Sequence, residues 1–225
     1  DEIARQYPDK LAMLHLDVNK TERRFSFRDI KHYSSQTANY FKSLGIKKGD
    51  RVMLVLKRHY QFWFAMIALH KLGAIAIPAT NQLKDHDFVY RFNAAGVSTI
   101  VCTADGDTAE IAEKAAAQCD SVKTKILVGG ARNGWHDFDS EFGLFSRKFE
   151  RPEDASGGNE TALMFFTSGT TGNPKMAAHS HTYALGHFVT AKYWHCCERD
   201  GLHLTISDTG WGKSLWGKLY GQWLC

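Results

Sequence analysis

The sequence predicts an α/β fold, doubly wound, with mostly parallel sheets and flanking helices, and three observations carry that expectation. Short, largely apolar runs at 52–56, 74–77, 98–102, 125–128 and 163–166 have the length of strands buried on both faces. Between the first four, the stretches 62–72, 85–96 and 108–119 place apolar residues at helical spacing. Short Gly or Pro connections join them, so strands and helices alternate as in a parallel, doubly wound sheet.

Taken in order, residues 1–9 are polar and read as frayed, and Leu11 to Val18 alternates loosely as a strand before the charged turn Asn19 to Arg24. Ser26 opens a capping box with Asp29, so a helix starts there. Ile30, Tyr33, Thr37, Phe41 and Leu44 recur at three and four residues, and Gly45 supplies a left-handed stop. Lys47 to Asp50 turns the chain into the strand Val52 to Leu56. Phe62 to Leu72 is apolar nearly all round and reads as a buried helix ending at Gly73, followed by the strand Ala74 to Ile77. Asp85 or Asp87 caps a third helix running through Phe88 and Phe92 to Gly96. Strand Ser98 to Cys102, the alanine-rich helix Thr108 to Cys119 and strand Lys125 to Val128 come next. From Gly129 the pattern loosens, and 151–160, polar with Gly157 and Gly158, reads as a linker. After Lys175 the spacing predicts a helix over Thr182 to Trp194, a strand over Leu202 to Ile206 and an amphipathic helix over Trp211 to Trp223. Trp211, Leu215, Leu219 and Trp223 form one stripe of that last helix, read as core at Trp223.

With 225 residues, 44% of them apolar and 23% charged, the chain has the composition of an ordinary globular protein. Its net charge of +4 favours phosphate-bearing ligands only slightly, and no basic run argues for nucleic acid. The longest apolar stretch, Phe62 to Leu69, is far short of the ~20 residues that span a bilayer, and no signal peptide is recognisable at the N-terminus. Cysteines at 102, 119, 196, 197 and 225 make an odd set without a disulfide framework, as expected of reduced thiols in a cytoplasmic or equivalent reducing compartment. His179, His181, His187, His195, Cys196, Cys197 and His203 crowd the later part of the chain. They show no Cys-x2-Cys pair and no His-x3-His on one helix face, so their spacing argues against zinc and no metal ligand is assigned.

The chemistry is concentrated between Leu163 and Lys175. Leu163 to Phe166 is a buried strand, and the residues after it cannot pack: Thr167, Ser168, Thr170 and Thr171 carry hydroxyls, while Gly169 and Gly172 permit positive φ and close approach of backbone N–H groups. Asn173 and Pro174 set a turn that returns the ammonium of Lys175 over the loop. Donors converging at the end of a strand, with one point charge, suit the oxygens of a polyphosphate. The spacing is not that of a Walker A loop, because Lys175 follows a proline and Met176 stands where a magnesium-binding hydroxyl is needed.

Thr167, Ser168, Gly169, Thr170, Thr171, Gly172, Asn173, Pro174 and Lys175 together resemble the phosphate-binding signature of the adenylate-forming enzymes, which include acyl-CoA synthetases, luciferases and peptide-synthetase adenylation domains. Met176 to His181, Ala191 to Trp194 and Ser207 to Trp211 are most similar to medium-chain acyl-CoA synthetases. The resemblance implies that those nine residues bind the phosphates of ATP, with Mg2+ bridging them, and that coenzyme A is the second acceptor. It implies a ligase that activates a carboxylic, fatty, acid to an acyl-adenylate and then to a thioester. Trp211, in the segment bordering the acyl and pantetheine channel, becomes a candidate pocket residue; His179 or His181 becomes a candidate substrate contact, with plain packing as the alternative. Residues 1–225 correspond to the N-terminal part of the large AMP-binding domain, with the lid domain and the later adenine, ribose and magnesium motifs absent. An isolated chain of this kind is expected to be inactive and to expose apolar surface that favours self-association. The remaining alternatives are an adenylating ligase for aryl or amino acids and a non-catalytic nucleotide-binding or structural piece.

Overall fold

A computed structural model describes residues 1–168 and 172–225. Among these residues two sheets form: the antiparallel pair β1 (Leu11–Leu16) and β2 (Glu22–Ser26), and a seven-stranded sheet. The larger sheet comprises β3 (Arg51–Val55), β4 (Ile75–Pro78), β5 (Thr99–Thr103), β6 (Thr124–Val128), β7 (His136–Asp137), β8 (Thr161–Thr167) and β9 (Lys175–Ser180). Their order is β7-β6-β5-β3-β4-β8-β9, parallel throughout except for β9.

The doubly wound architecture follows from the two-residue repeat of β3. Val52 and Leu54 face one core with α2 (Phe27–Ser43) and α3 (Gln61–Leu72), while Met53 and Val55 face a second core with α4 (Asp85–Ala95) and α5 (Thr108–Ala116). On α3, Phe62, Phe64, Met66 and Leu69 are all buried, and each such side chain contributes roughly 1.5–3 kcal/mol relative to exposure. α3 carries the chain from β3 to β4 on one side of the sheet. α4 then carries it back across β3 to β5, which makes the end of β3 the point where the winding reverses.

Local signals act where the sequence placed them. Ser26 Oγ accepts from the Asp29 N–H at 3.1 Å and Asp29 Oδ2 accepts from the Ser26 N–H at 2.9 Å, closing the capping box of α2. Gly73 and Gly96 end α3 and α4 with φ of 71° and 58°. The supposedly frayed terminus contains a short helix, α1 (Glu2–Gln6), and β2 begins inside the stretch read as a turn. Past Gly129, β7 and the short helix α6 (Phe138–Glu141) form, with Phe138 buried against Tyr40 and Phe41. Residues 151–160 lack regular structure apart from turns up to the start of β8.

The C-terminal part of the chain departs further from expectation. The helix predicted after the loop is α7 (Tyr183–Val189), continued by a π-helical turn over Thr190–Trp194. Leu202 to Ile206 is not a strand: it joins no ladder among the described residues, and Leu202, Leu204 and Ile206 are exposed while Thr205 is buried. The helix expected over Trp211 to Trp223 is reduced to α8 (Gly212–Ser214) and a π-helical turn at Leu215–Leu219. Gly212, Gly217 and Gly221 weaken a continuous helix. Gly221, at φ 73°, is pressed so close to α7 that a Cβ would lie 2.2 Å from the His187 carbonyl oxygen.

Candidate functional site

Strands β3, β4, β5 and β8 run parallel, so the segments leaving their C-terminal ends gather along one edge of the sheet. In open α/β sheets this edge, at the reversal of winding, is where ligands bind.

The loop after β8 sits on this edge because β8 is anchored on both faces. Leu163 and Phe165 enter the α2–α3 core, and Met164 and Phe166 pack against the other. After Phe166 the composition changes, and Thr167 and Ser168 are exposed. The chain then turns back as β9, with Thr167 paired to Lys175 and Thr167 Oγ1 donating to the Lys175 carbonyl at 3.3 Å. This return strand was not foreseen; it sets Lys175 across the hairpin from the Thr167 hydroxyl. Helix α4 braces the return: the Tyr90 hydroxyl donates to the Pro174 carbonyl at 2.9 Å, and the Arg91 guanidinium lies 5.2 Å over the Phe166 ring. Gly172 takes φ 81°; Gly172, Asn173 and Lys175 are exposed and Pro174 is half-buried. Gly169, Thr170 and Thr171 lie outside the described residues. The exposed Ser168 hydroxyl and Lys175 ammonium are donors for an anion, and the Thr167 hydroxyl joins them once it turns from the Lys175 carbonyl.

A second wall comes from the turn Asp208 to Trp211. The Gly210 N–H donates to Asp208 Oδ1 at 2.8 Å, the Trp211 N–H donates to the Asp208 carbonyl at 3.1 Å, and the Thr209 hydroxyl donates to the Lys57 carbonyl. Gly210 is seated directly on the chain leaving β4, where a Cβ would lie 2.2 Å from the Thr80 nitrogen. Only glycine permits that approach. Trp211 is thereby held at the edge with 65% of its surface exposed. The stripe it belongs to divides: Leu215 and Leu219 are buried, and Trp223 packs on Phe27 and donates Nε1–H to the Ala12 carbonyl at 2.9 Å.

His179 is placed differently. It pairs with Leu163 on β9, four residues and roughly 13 Å along the strand from Lys175. Its ring packs against Phe165 and Tyr183, at centroid distances of 5.9 and 4.1 Å, and burial lowers its pKa. His181, next but one along the chain, lies 5.6 Å from the His70 ring.

A polar group at the end of β3 and β5 escaped the sequence reading. His59 Nε2 lies 2.7 Å from Thr103 Oγ1 and 3.4 Å from the Asp105 carboxylate, and Lys57 Nζ stands 3.8 Å from the same carboxylate. Lys57 adopts φ 49°. The available signal was positional: these residues directly follow two of the apolar runs. A separate cleft of about 340 Å³, lined by Arg23, Phe25, Tyr33, Tyr60 and Phe64 among others, shares no residue with this edge. Three of the seven histidines and cysteines whose spacing spoke against zinc, His195, Cys197 and His203, nevertheless converge in space.

Comparison with known proteins agrees with this geometry. Residues 1–219 match the family described as AMP-binding enzyme. Human mitochondrial acyl-coenzyme A synthetase ACSM4 is 35% identical over 97% of this chain, and human mitochondrial ACSM3 is 30% identical over 99%. The chain spans 37% and 38% of the length of these two relatives. A Brucella canis acyl-CoA synthetase superposes with a TM-score of 0.86 at 20% identity, covering 99% of this chain and 40% of that one. The anthranilate CoA ligase AuaEII, solved with anthranoyl-AMP, gives 0.80 at 20% identity over 98% of this chain and 42% of its own. A strand-borne hydroxyl, glycine and lysine loop on one edge of a doubly wound sheet, in a chain matched to one family from residue 1 to residue 219, places it: the chain belongs to the AMP-binding enzyme family.

Proposed function

We propose that the protein to which this chain belongs activates a fatty carboxylic acid in two steps, joining it to AMP with release of pyrophosphate and then passing the acyl group to the thiol of coenzyme A. The observation that supports this reading is the loop at the end of β8, where Thr167, Ser168 and Lys175 present donors at the sheet edge. As the carboxylate attacks the α-phosphorus, negative charge builds on the leaving pyrophosphate. Donors fixed in advance at the β- and γ-oxygens stabilise that departure more than the ground state. Thr167, Ser168 and Lys175 serve this role together with Gly169, Thr170, Thr171, Gly172, Asn173 and Pro174 as the nine-residue phosphate loop. Magnesium would supply further neutralisation of phosphate charge. Trp211, exposed beside the chain leaving β4, borders the acyl group, and residues 1–225 form the N-terminal part of the AMP-binding domain.

Labelled pyrophosphate exchange into ATP tests this in the full-length protein. Exchange that requires a fatty acid, with AMP as product, is expected. Formation of ADP and orthophosphate would replace adenylation by transfer of the terminal phosphoryl group.

A further inference from the structure

We propose that His195, Cys197 and His203 form a site for a thiophilic divalent cation of the zinc class, independent of the phosphate loop. One ring nitrogen of each histidine and the Cys197 sulfur all lie within 4.8 Å of one another. Zinc bonds of about 2.0–2.3 Å in a tetrahedron set neighbouring ligand atoms roughly 3.3–3.8 Å apart, so side-chain rotations of about an ångström close the set. Three protein ligands leave the fourth tetrahedral position to water or to a further donor.

The backbone explains how residues so close in sequence meet. His195 ends the π-helical turn, its N–H donating to the Thr190 carbonyl at 3.0 Å. Cys196 then takes the left-handed conformation, φ 50°, which doubles the chain back until the Cys197 N–H reaches the Ala191 carbonyl at 3.0 Å. That reversal sets the Cys197 thiol beside the His195 ring. A left-handed residue other than Gly, Asn or Asp is uncommon and is retained where the surroundings demand it. His203 arrives from the following loop, with its ring centroid 5.3 Å from that of His195.

Contacts around the two imidazoles bear on which ring nitrogen is free to bind a metal. His203 Nε2 lies 2.9 Å from Thr205 Oγ1, and the single hydroxyl proton of Thr205 is given to the Gly217 carbonyl at 2.5 Å. The ring nitrogen is therefore the donor, which leaves Nδ1 of the neutral ring with a free lone pair. Gln222 Nε2 lies 2.8 Å from His195 Nδ1, and Gln222 Oε1 is buried with no partner; turning that carboxamide over lets Oε1 accept from an Nδ1–H and leaves the lone pair of His195 Nε2 for the metal. A buried carboxamide oxygen without a partner lacks a proton donor or a cation. Coordination breaks the Cys197 S–H bond and forms the sulfur–metal bond, releasing one proton to solvent with no change of oxidation state. A search for Cys-x2-Cys or His-x3-His overlooks this set because its spacing, His-x-Cys-x5-His, spans a turn and a loop.

Cobalt(II) titration of the purified chain, held reduced with a phosphine, tests the proposal. One equivalent of cobalt should produce a thiolate-to-cobalt charge-transfer band with ligand-field bands of tetrahedral intensity, and zinc should remove both. Cys197→Ser should abolish the charge-transfer band, Cys196→Ser should leave it, and His203→Gln should weaken binding by about tenfold or more, each variant being checked for fold by circular dichroism. Absence of a thiolate band in the unsubstituted chain would overturn the proposal whatever the variants do. So would a band that survives Cys197→Ser or is lost in Cys196→Ser, or His203→Gln binding as the original.

Discussion

Lys175 and His70 show how differently two basic residues can be used on neighbouring parts of this fold. Lys175 is exposed at the mouth of the hairpin, opposite Thr167. Removing one charged contact to a developing anion costs about 2.7–4 kcal/mol, so Lys175→Ala in the full-length protein should slow adenylate formation about a hundred- to thousand-fold. Its thermal unfolding should be unchanged, because the side chain has no buried face. Normal adenylation rates in that variant would reduce Lys175 to a solvated side chain. His70 is half-buried, with Nε2 2.7 Å from the Tyr220 hydroxyl, and burial, aided by His181, pushes its pKa down to about 4. The folded state therefore refuses a proton that the unfolded chain takes up near 6.5. Stability should fall as pH drops from about 6.5 towards about 4, seen as a lower urea midpoint at pH 5 than at pH 7. His70→Gln should flatten part of that difference, the other partly buried histidines keeping the rest.

At the level of elements, Ser26 is both the last residue of β2 and the cap of α2. Ser26→Ala leaves the Asp29 N–H without its acceptor and should cost about 1 kcal/mol, read as a shift in the urea midpoint with unchanged slope. Elements of this kind were legible in the sequence because their information is local: the capping box, Gly73, Gly96 and the apolar runs specify helix and strand without reference to distant residues. The strand β9 was not legible, since Met176 to Ser180 forms a strand by pairing with β8, and Lys175, Met176, Ala178 and His179 show no clean alternation of burial. The segment from Leu202 to Ile206 failed in the opposite sense. Its apolar alternation is that of a strand, yet no ladder receives it among the described residues. Of the candidate site, the loop was legible from its hydroxyls and glycines; Lys57, His59 and Asp105 were not, because only the strand order brings them together.

For the whole molecule, the apolar surface is distributed unevenly. Leu185, Val189, Tyr193, Trp194, Leu202, Leu204, Ile206 and Trp211 are each more than half exposed, and all fall within residues 185–211. Hydrophobic side chains gathered in one stretch of chain favour association with a further surface. The 225-residue chain should form dimers or larger species in light scattering, and a compact monomer would count against this. The bond from Trp223 to the Ala12 carbonyl adds a dimension of time: it joins residues 211 positions apart, and Lys10 likewise reaches across 189 positions to the Arg199 carbonyl. Contacts of such sequence separation are slow to form because the intervening chain must first be ordered. During synthesis the β1–β2 hairpin must therefore wait for residues 199–223, which are made about two hundred positions later.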